Sequence, residues 1–468
     1  MWDKFKSKSY QVIGVICFII FFSSSFAWAE LEAGAVINAA NIDQMKPQKF
    51  EGKTIASMLP KQIEWWIRNY NLKITLTHSK PTHINLDFIE ATKRYHKDVK
   101  IDPETLEISG YKAGMPFPYI ADDDPFKARK LIYNAYLKSG YQYPCSLYIP
   151  HFGYNMIDFK TGIERKMVWQ YWREFYTGRI AGSDGSMDNP LLDDKVLYKQ
   201  VSVCKEPYDL RGVGTFFIRY NSGKMDDTWV YLRASRRTRR LSGGGWFDSD
   251  GGTDHLRDEY NNFSANPTWI PKFNYLGKRY VLAVAHSRTA HLPPEQCWPV
   301  VPNFPGMDHS SPPYCNPLDD WEPREVYVIE QILPEEHTYL RRVYFIDTKS
   351  FMWYYGDVYN KKNEFEKIVF LSCSDKRGSD KEDSWFLAGK QGFLINFKLQ
   401  HGTVWRMPAD DYYGNAPQVK PNKLTLSTME AISKGRYKRP EGIILPKNEG
   451  KKHFYKDLNL DWTAIKLK

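Results

Sequence analysis

From residue 146 to about residue 400, apolar and polar positions alternate with a period of two, in runs separated by short polar turns. Successive side chains on a strand point to opposite faces, so such alternation predicts half-buried strands. The runs are SLYIPHFGYNMIDF, KMVWQYWREFYT, KVLYKQVSVC, VGTFFIRY, DTWVYLRAS, RYVLAVAHS, REVYVIEQIL, LRRVYFID, SFMWYYGDVYN, EKIVFLSCSD and GFLINFKLQ. The turns around Thr161, Ser222, Thr348 and Lys361 are polar, and the last two join their neighbours by a short loop, the mark of antiparallel hairpins. Strand after strand without intervening helices predicts a mainly β protein built on one large curled antiparallel sheet. No repeat suggests a propeller.

Ahead of the strands the period changes. Ile63, Trp66, Ile67 and Tyr70 fall on one helical face. A second helix has Asp122, Asp123 and Asp124 as cap candidates, Pro125 at its first position, and Ala128, Leu131, Ile132 and Ala135 as its stripe. These few helices are expected to lie on the sheet. Residues 30–53 read as an irregular lead-in, residues 54–430 as the β-rich domain with its N-terminal helices, and residues 431–468 as a basic tail without apolar periodicity.

Aromatic residues make up 15% of the chain, and many sit on the predicted strands. Rings on the concave face of a curled sheet either fill a core or line an apolar cavity. If a cavity forms, Trp169, Tyr171, Trp229, Tyr231, Trp353 and Tyr355 are its candidate lining, with Arg237 and Arg239 at the rim.

Charge and the N-terminus bear on compartment. Lys4, Lys6 and Lys8 precede the apolar run 12–22, and Ala27-Trp28-Ala29 offers a small-x-small cleavage site, the three parts of a secretory signal peptide. Cleavage after Ala29 would remove three lysines and one aspartate, lowering the net charge from +10 to +8. An exported, periplasmic protein has no nucleic-acid partner, which removes one reading of its basic residues. Of the cysteines that remain, Cys297 and Cys315 flank a proline-rich loop that a disulfide would pin, while Cys145, Cys204 and Cys373 have no evident pairing.

The most unusual stretch is RASRRTRRLSGGGWFDSDGGTD, residues 233–254. It lacks the Lys-Ser/Thr of a phosphate-binding loop. DSDGGTD has alternating oxygen ligands but no bidentate Glu at calcium-loop spacing. If the strand before it continues, Arg233, Arg237 and Arg239 face one side and Arg236 and Arg240 the other. Asp248, Asp250, Asp254 and Asp258 are then the expected partners, tying the loop to the sheet; alternatively one arginine set meets an anionic headgroup. His286, His291 and His309 lie near Ser287, Asp308, Ser310 and Ser311, but no nucleophile signature accompanies them. No cofactor or metal site is expected, and the protein reads as a non-enzyme.

Several motifs in order resemble one family. AGAVINAANIDQMK (33–46), GMPFPYIADDDP (114–125), DDTWVYLRASRRTRRL (226–241), GTDHLRDEYNNFSAN (252–266) and the hairpin REVYVIEQILPEEHTYLRRVYFIDTKSFMWYYGDVYNKKNE (324–364) resemble the DUF1329 proteins, exported proteins of Gram-negative bacteria. The chain departs from the pattern where Ser264 and Ala265 follow Phe263, in place of a glycine, and in a longer proline-rich insertion after His291. The resemblance implies a fold akin to the LolA/LolB lipoprotein carriers, a half-open antiparallel barrel with helices over an apolar cavity. It also implies work in the cell envelope, beside an outer-membrane protein or an RND-type exporter. The resulting expectation is a periplasmic binding or shuttle protein for a lipid or other hydrophobic molecule. The alternatives are a non-carrying accessory subunit of an envelope transporter, and a periplasmic hydrolase using the His286 region.

Overall fold

The computed structural model describes residues 30–138, 146–179, 196–241, 245–288, 306–377, 385–407, 413–414 and 424–436. The signal-peptide segment, Cys145, His291, Cys297 and the tail beyond residue 436 lie outside the described residues.

Sixteen strands of the described residues join one sheet. In chain order they are β1 (Val36–Ile37), β2 (Ile74–Leu76), β3 (Ser146–Asp158), β4 (Gly162–Phe175), β5 (Val196–Glu206), β6 (Gly214–Tyr220), β7 (Asp227–Leu232), β8 (Arg237–Leu241), β9 (Lys272–Ala283), β10 (Asp320–Ile332), β11 (Arg341–Asp347), β12 (Trp353–Tyr359), β13 (Phe365–Arg377), β14 (Trp385–Asn396), β15 (His401–Arg406) and β16 (Tyr413–Gly414). Two antiparallel meanders, β3 to β8 and β9 to β15, are joined where β15 pairs with β3. β2 runs parallel to β10, which makes the sheet formally mixed. The path ends at β8, and among the described residues no strand closes it back on the other end. The large open sheet expected from the alternation is therefore present.

The helices are α1 (Ile42–Met45), α2 (Ile55–Met58), α3 (Lys61–Tyr70), α4 (Leu86–Tyr95), α5 (Lys127–Leu137) and α6 (Leu426–Ser433). In α3 the predicted stripe is realised, with Ile63, Trp66 and Ile67 buried. α5 starts two residues after Pro125, because Asp124 forms a turn instead, its carboxylate accepting from the Phe126 N–H at 2.8 Å. The lead-in is less irregular than expected: it supplies β1 and α1 and buries Ile37, Ile42 and Phe50 completely.

The register assigns each side chain to one of two faces, called front and back. On the back of β11 to β14, Phe345, Tyr355, Phe370 and Phe393 form a ring ladder, and Trp66 of α3 meets Phe370 edge-on at 6.1 Å. On the back of β4 to β7, Trp172, Val201, Val203, Phe216 and Tyr231 pack with Met429 and Ile432 of α6. α5 covers the front of β9, where Arg129 lies 5.0 Å over Phe273. A bulge opposite Phe345 and Ile346 interrupts the alternation in β12. Trp353 consequently faces front, stacked at 4.9 Å on Phe263, while Tyr355 faces back against Phe345.

Candidate functional site

The arginine-rich stretch is not one continued strand. β7 ends at Leu232, the chain turns with Arg236 at φ 52°, and β8 returns antiparallel with Arg239 opposite Val230 and Arg237 opposite Leu232. Arg237 and Arg239 share the front and Arg240 lies opposite Trp229 on the back, as the alternation predicts, whereas Arg233 and Arg236 sit in the turn and belong to neither strand face. All five arginines are exposed. Arg240 pairs with Asp227, and Arg233 donates to the Arg211 carbonyl at 3.2 Å.

The downstream carboxylates go elsewhere, which corrects the expected pairing with the arginine cluster. Asp254 accepts from His401 at 2.6 Å and from the Thr403 hydroxyl at 2.9 Å. Asp258 is bound by Arg342 and, at 3.3 Å, by His337. Glu259 takes Lys367 at 2.7 Å and Arg342 at 3.2 Å. Arg342, Lys367, Asp258, Glu259 and His337 are fully shielded from solvent, so each charge needs its partner. Burial opposes the charge of Lys367, but Glu259 outweighs it and its pKa stays raised. Asp254, with Glu164 on the other ring nitrogen, raises His401 to about 9, so this histidine is a fixed cation at neutral pH.

Residues 245–271 are thereby clamped across the front of the second meander. Phe263 completes the seal on Trp353, and the Ser264 carbonyl then accepts from Arg219 of β6. This segment covers the front of β11 to β15.

Over the first meander the same segment leaves a gap. Tyr198 and Gln200 of β5, Thr215, Phe217 and Arg219 of β6, and Thr228 of β7 form its floor; Trp246, Asp250 and Arg257 of the segment form its wall. The recess is narrow: the centre of a water-sized sphere can occupy about 40 Å³ of it, within about 650 Å³ of non-atom space that includes open solvent. Phe217, Thr215, Thr228 and the neighbouring Val230 are only half-buried, unlike the ladder on the other half. By register Arg237 and Arg239 extend the same face beyond Val230.

The cations beneath the recess are already occupied. Arg219 is held by both oxygens of Asp226, at 2.5 and 2.8 Å, and lies 4.8 Å over Trp269. Burial works against its charge, yet Asp226 outweighs it and keeps the pKa well above the usual value. Arg173 donates to Gln200 at 2.7 and 3.0 Å and lies 4.1 Å over Tyr198. The recess is thus a mixed aromatic and polar surface with Arg257 in its wall, and Arg237 and Arg239 lie further along the same face.

The eight residues singled out from the sequence are split by the fold. Trp169, Tyr171, Arg237 and Arg239 are on the front of the first meander, where the Trp169 ring lies beside Gly251 of the clamped segment. Trp229 and Tyr231 are on the back near α6, Trp353 is sealed under Phe263, and Tyr355 is buried under the N-terminal helices. Sequence reasoning did not single out Tyr198, Gln200, Phe217, Trp246 or Arg257. Phe217 and Tyr198 could have been found from the alternation in β5 and β6; Trp246 and Arg257 carry no local signal.

The His286 region is a salt-bridged corner. His286 Nδ1 lies 3.0 Å from Glu322 and its Nε2 3.1 Å from the Pro81 carbonyl, so both ring nitrogens are engaged. His83 sits 3.0 Å from Asp375, and Arg324 joins Glu322 to Asp347. Among the described residues no cluster of three or more His, Cys, Asp or Glu could hold a metal ion. Cys204, Cys315 and Cys373 are buried free thiols, and Cys297, the partner suggested for Cys315, lies outside the described residues.

A search of the curated proteins returned no match. Three solved structures are similar to this chain at low scores. One is a domain provisionally named an outer membrane lipoprotein-sorting protein, from Vibrio parahaemolyticus, 12% identical, covering 65% of this chain and 98% of its own, with a TM-score of 0.43. A DUF1329 protein from Desulfovibrio piger is 16% identical, covering 65% and 99%, with a TM-score of 0.40. A LolA superfamily protein from Nitrosomonas europaea is 11% identical, covering 61% and 90%, with a TM-score of 0.31. TM-scores this low support no argument about ligand or partner. The family model described as protein of unknown function, DUF1329, matches residues 36–429, and the chain belongs to that family.

Proposed function

We propose that this is an exported envelope protein that binds a lipid or other hydrophobic molecule in the recess over β5 to β7. One observation carries the reading. Both faces of β11 to β15 and the back of the first meander are largely covered by packed side chains, whereas the front of β6 and β7 keeps Phe217 and Val230 half-buried beside free space. Apolar surface left beside a concavity is where an apolar ligand gains most, at roughly 25 cal/mol per Å² removed from water. Trp169 and Tyr171 border the same face, and Arg237 and Arg239 continue it toward solvent. An N-terminus with the three parts of a signal peptide supports a role in the envelope.

The test is native mass spectrometry and solvent extraction of protein purified from its own host, with uptake of a fluorescent fatty acid as the titration. A co-purifying hydrophobic molecule is expected. Phe217→Trp, which fills the recess, should fold normally and lose uptake. Protein that is always empty, with uptake unchanged by Phe217→Trp, overturns the reading.

A further inference from the structure

The two ends of the sheet treat their exposed backbone differently. At one end, β9 carries Lys272, Lys278 and Arg279, is bulged at Gly277, and is strapped by α2 through Arg279, which donates to the Ser57 carbonyl at 2.8 Å. Charge, a bulge and a covering element are the usual ways of blunting an edge against strand addition. At the other end, β8 pairs with β7 through five consecutive residues without a bulge, contains no proline, and has no neighbour on its far side among the described residues. Alternate N–H and C=O groups of such a strand point away from the sheet and accept another strand.

The charge at this edge is one-sided. Arg236, Arg237 and Arg239 are exposed and have no hydrogen bond or ion pair among the described residues. Arg211, Arg233 and Lys434 stand close by: Arg233 reaches the Arg211 carbonyl, and Lys434 lies 5.4 Å over Tyr231 of β7. The nearby carboxylates are engaged, Asp227 by Arg240 and Lys224, and Glu430 by Lys434 at 2.9 Å and the Thr238 hydroxyl at 2.7 Å. A strand laid beside β8 would meet Arg237 and Arg239 on the front at every second position, so acidic residues at that spacing fit it. The chain's own tail beyond residue 436 is rich in lysine, which disfavours it as the occupant.

We propose that β8 is a docking edge for an extended acidic segment of a partner protein, which adds to the sheet as a further strand. Backbone hydrogen bonds would supply the register and the arginines the selectivity. This goes beyond the ligand reading: it uses the rim of the front face and not the recess, so either can fail without the other.

The probe is a short fluorescent peptide alternating threonine and glutamate, titrated against the exported chain. Two N-methylated versions, each blocking one edge of the peptide, serve as controls. Binding is expected to weaken on raising salt. It should also fall by about tenfold or more, equivalent to about 1.4 kcal/mol, in one N-methylated register only. Substituting Arg236→Gln, Arg237→Gln and Arg239→Gln together should cause a similar loss with an unchanged circular-dichroism spectrum and melting temperature, whereas Phe217→Trp in the recess should leave peptide binding unchanged. Equal binding of both N-methylated peptides would reduce the edge to charge attraction and overturn the proposal. So would absence of peptide binding, including the outcome in which phosphatidylglycerol vesicles bind through these arginines instead.

Discussion

The two meanders of the sheet are made of similar alternating strands, yet β11 to β15 of the second are shut on both faces and the first is shut on one. On the front of the second meander stand Arg342, Lys367 and His401, whose charges are met by Asp254, Asp258 and Glu259 from a distant segment. On the front of the first, Arg219 finds Asp226 within its own hairpin and Arg173 finds Gln200 on the next strand. The hydrogen bonds that join the crossing segment to this half run from Arg219 to the Ser264 carbonyl and from Asn266 and Trp269 to carbonyls of residues 220–223. Where the partners of buried cations come from decides where this sheet is closed.

The largest expected effect strikes the closed half. Glu259→Ala leaves Lys367 buried without its carboxylate and weakens the hold on Arg342. It should lower unfolding free energy by about 3–5 kcal/mol in urea titrations. Phe263→Ala empties the seal over Trp353 and should cost about 3–5 kcal/mol while leaving the ion pairs formed. If either variant is no less stable than the parent, the clamp is not what shuts this half.

A pH series separates the halves further. On the back of the first meander, burial raises the Glu174 carboxyl to about 7; it accepts from Tyr176 at 2.9 Å and from the Leu424 N–H just ahead of α6. A carboxyl whose folded pKa is raised contributes stability that is complete below its unfolded value of about 4.5 and lost as pH rises through 7. The loss is at most about 3 kcal/mol. Glu174→Gln should flatten this dependence. In the closed half His401 works at higher pH: its contribution is complete below about 6.5 and lost as pH rises through 9, so His401→Gln should flatten the curve only there. Thermal melts between pH 5 and 10 would read both. The smallest expected effect belongs to the exposed rim, where Arg237→Gln with Arg239→Gln should change stability by no more than about 0.5 kcal/mol.

The alternation made most strands and the large open sheet legible, because a period of two survives wherever at least one face is buried. It failed at β8, whose five residues RTRRL are an edge with little to bury, and at β15, HGTVWR. Neither α4, which is as long as α3, nor α6 is among the helices expected from the sequence. The candidate site was half legible. Trp169, Tyr171, Arg237 and Arg239 fall on one face, but Trp353 and Tyr355, two apart in sequence, are sent to opposite faces by a bulge the pattern does not announce. The acidic stretch was noticed and given the wrong partners. Its true partners lie 84 residues away for Asp258 with Arg342 and 108 for Glu259 with Lys367, a separation at which one sequence carries no pairing signal.

The clamped segment can also be regarded as a ligand that the chain brings to itself. A group tethered by a short linker is present at an effective concentration in the millimolar range, whatever the concentration of the protein. Residues 245–271 run directly into β9, so their rings and carboxylates compete for the second meander with that advantage over any free molecule. A visiting amphiphile would have to outbid a resident that never diffuses away. On the proposed reading exchange belongs to the first meander, and connectivity sets the half of the sheet that the chain covers itself apart from the half it leaves partly uncovered.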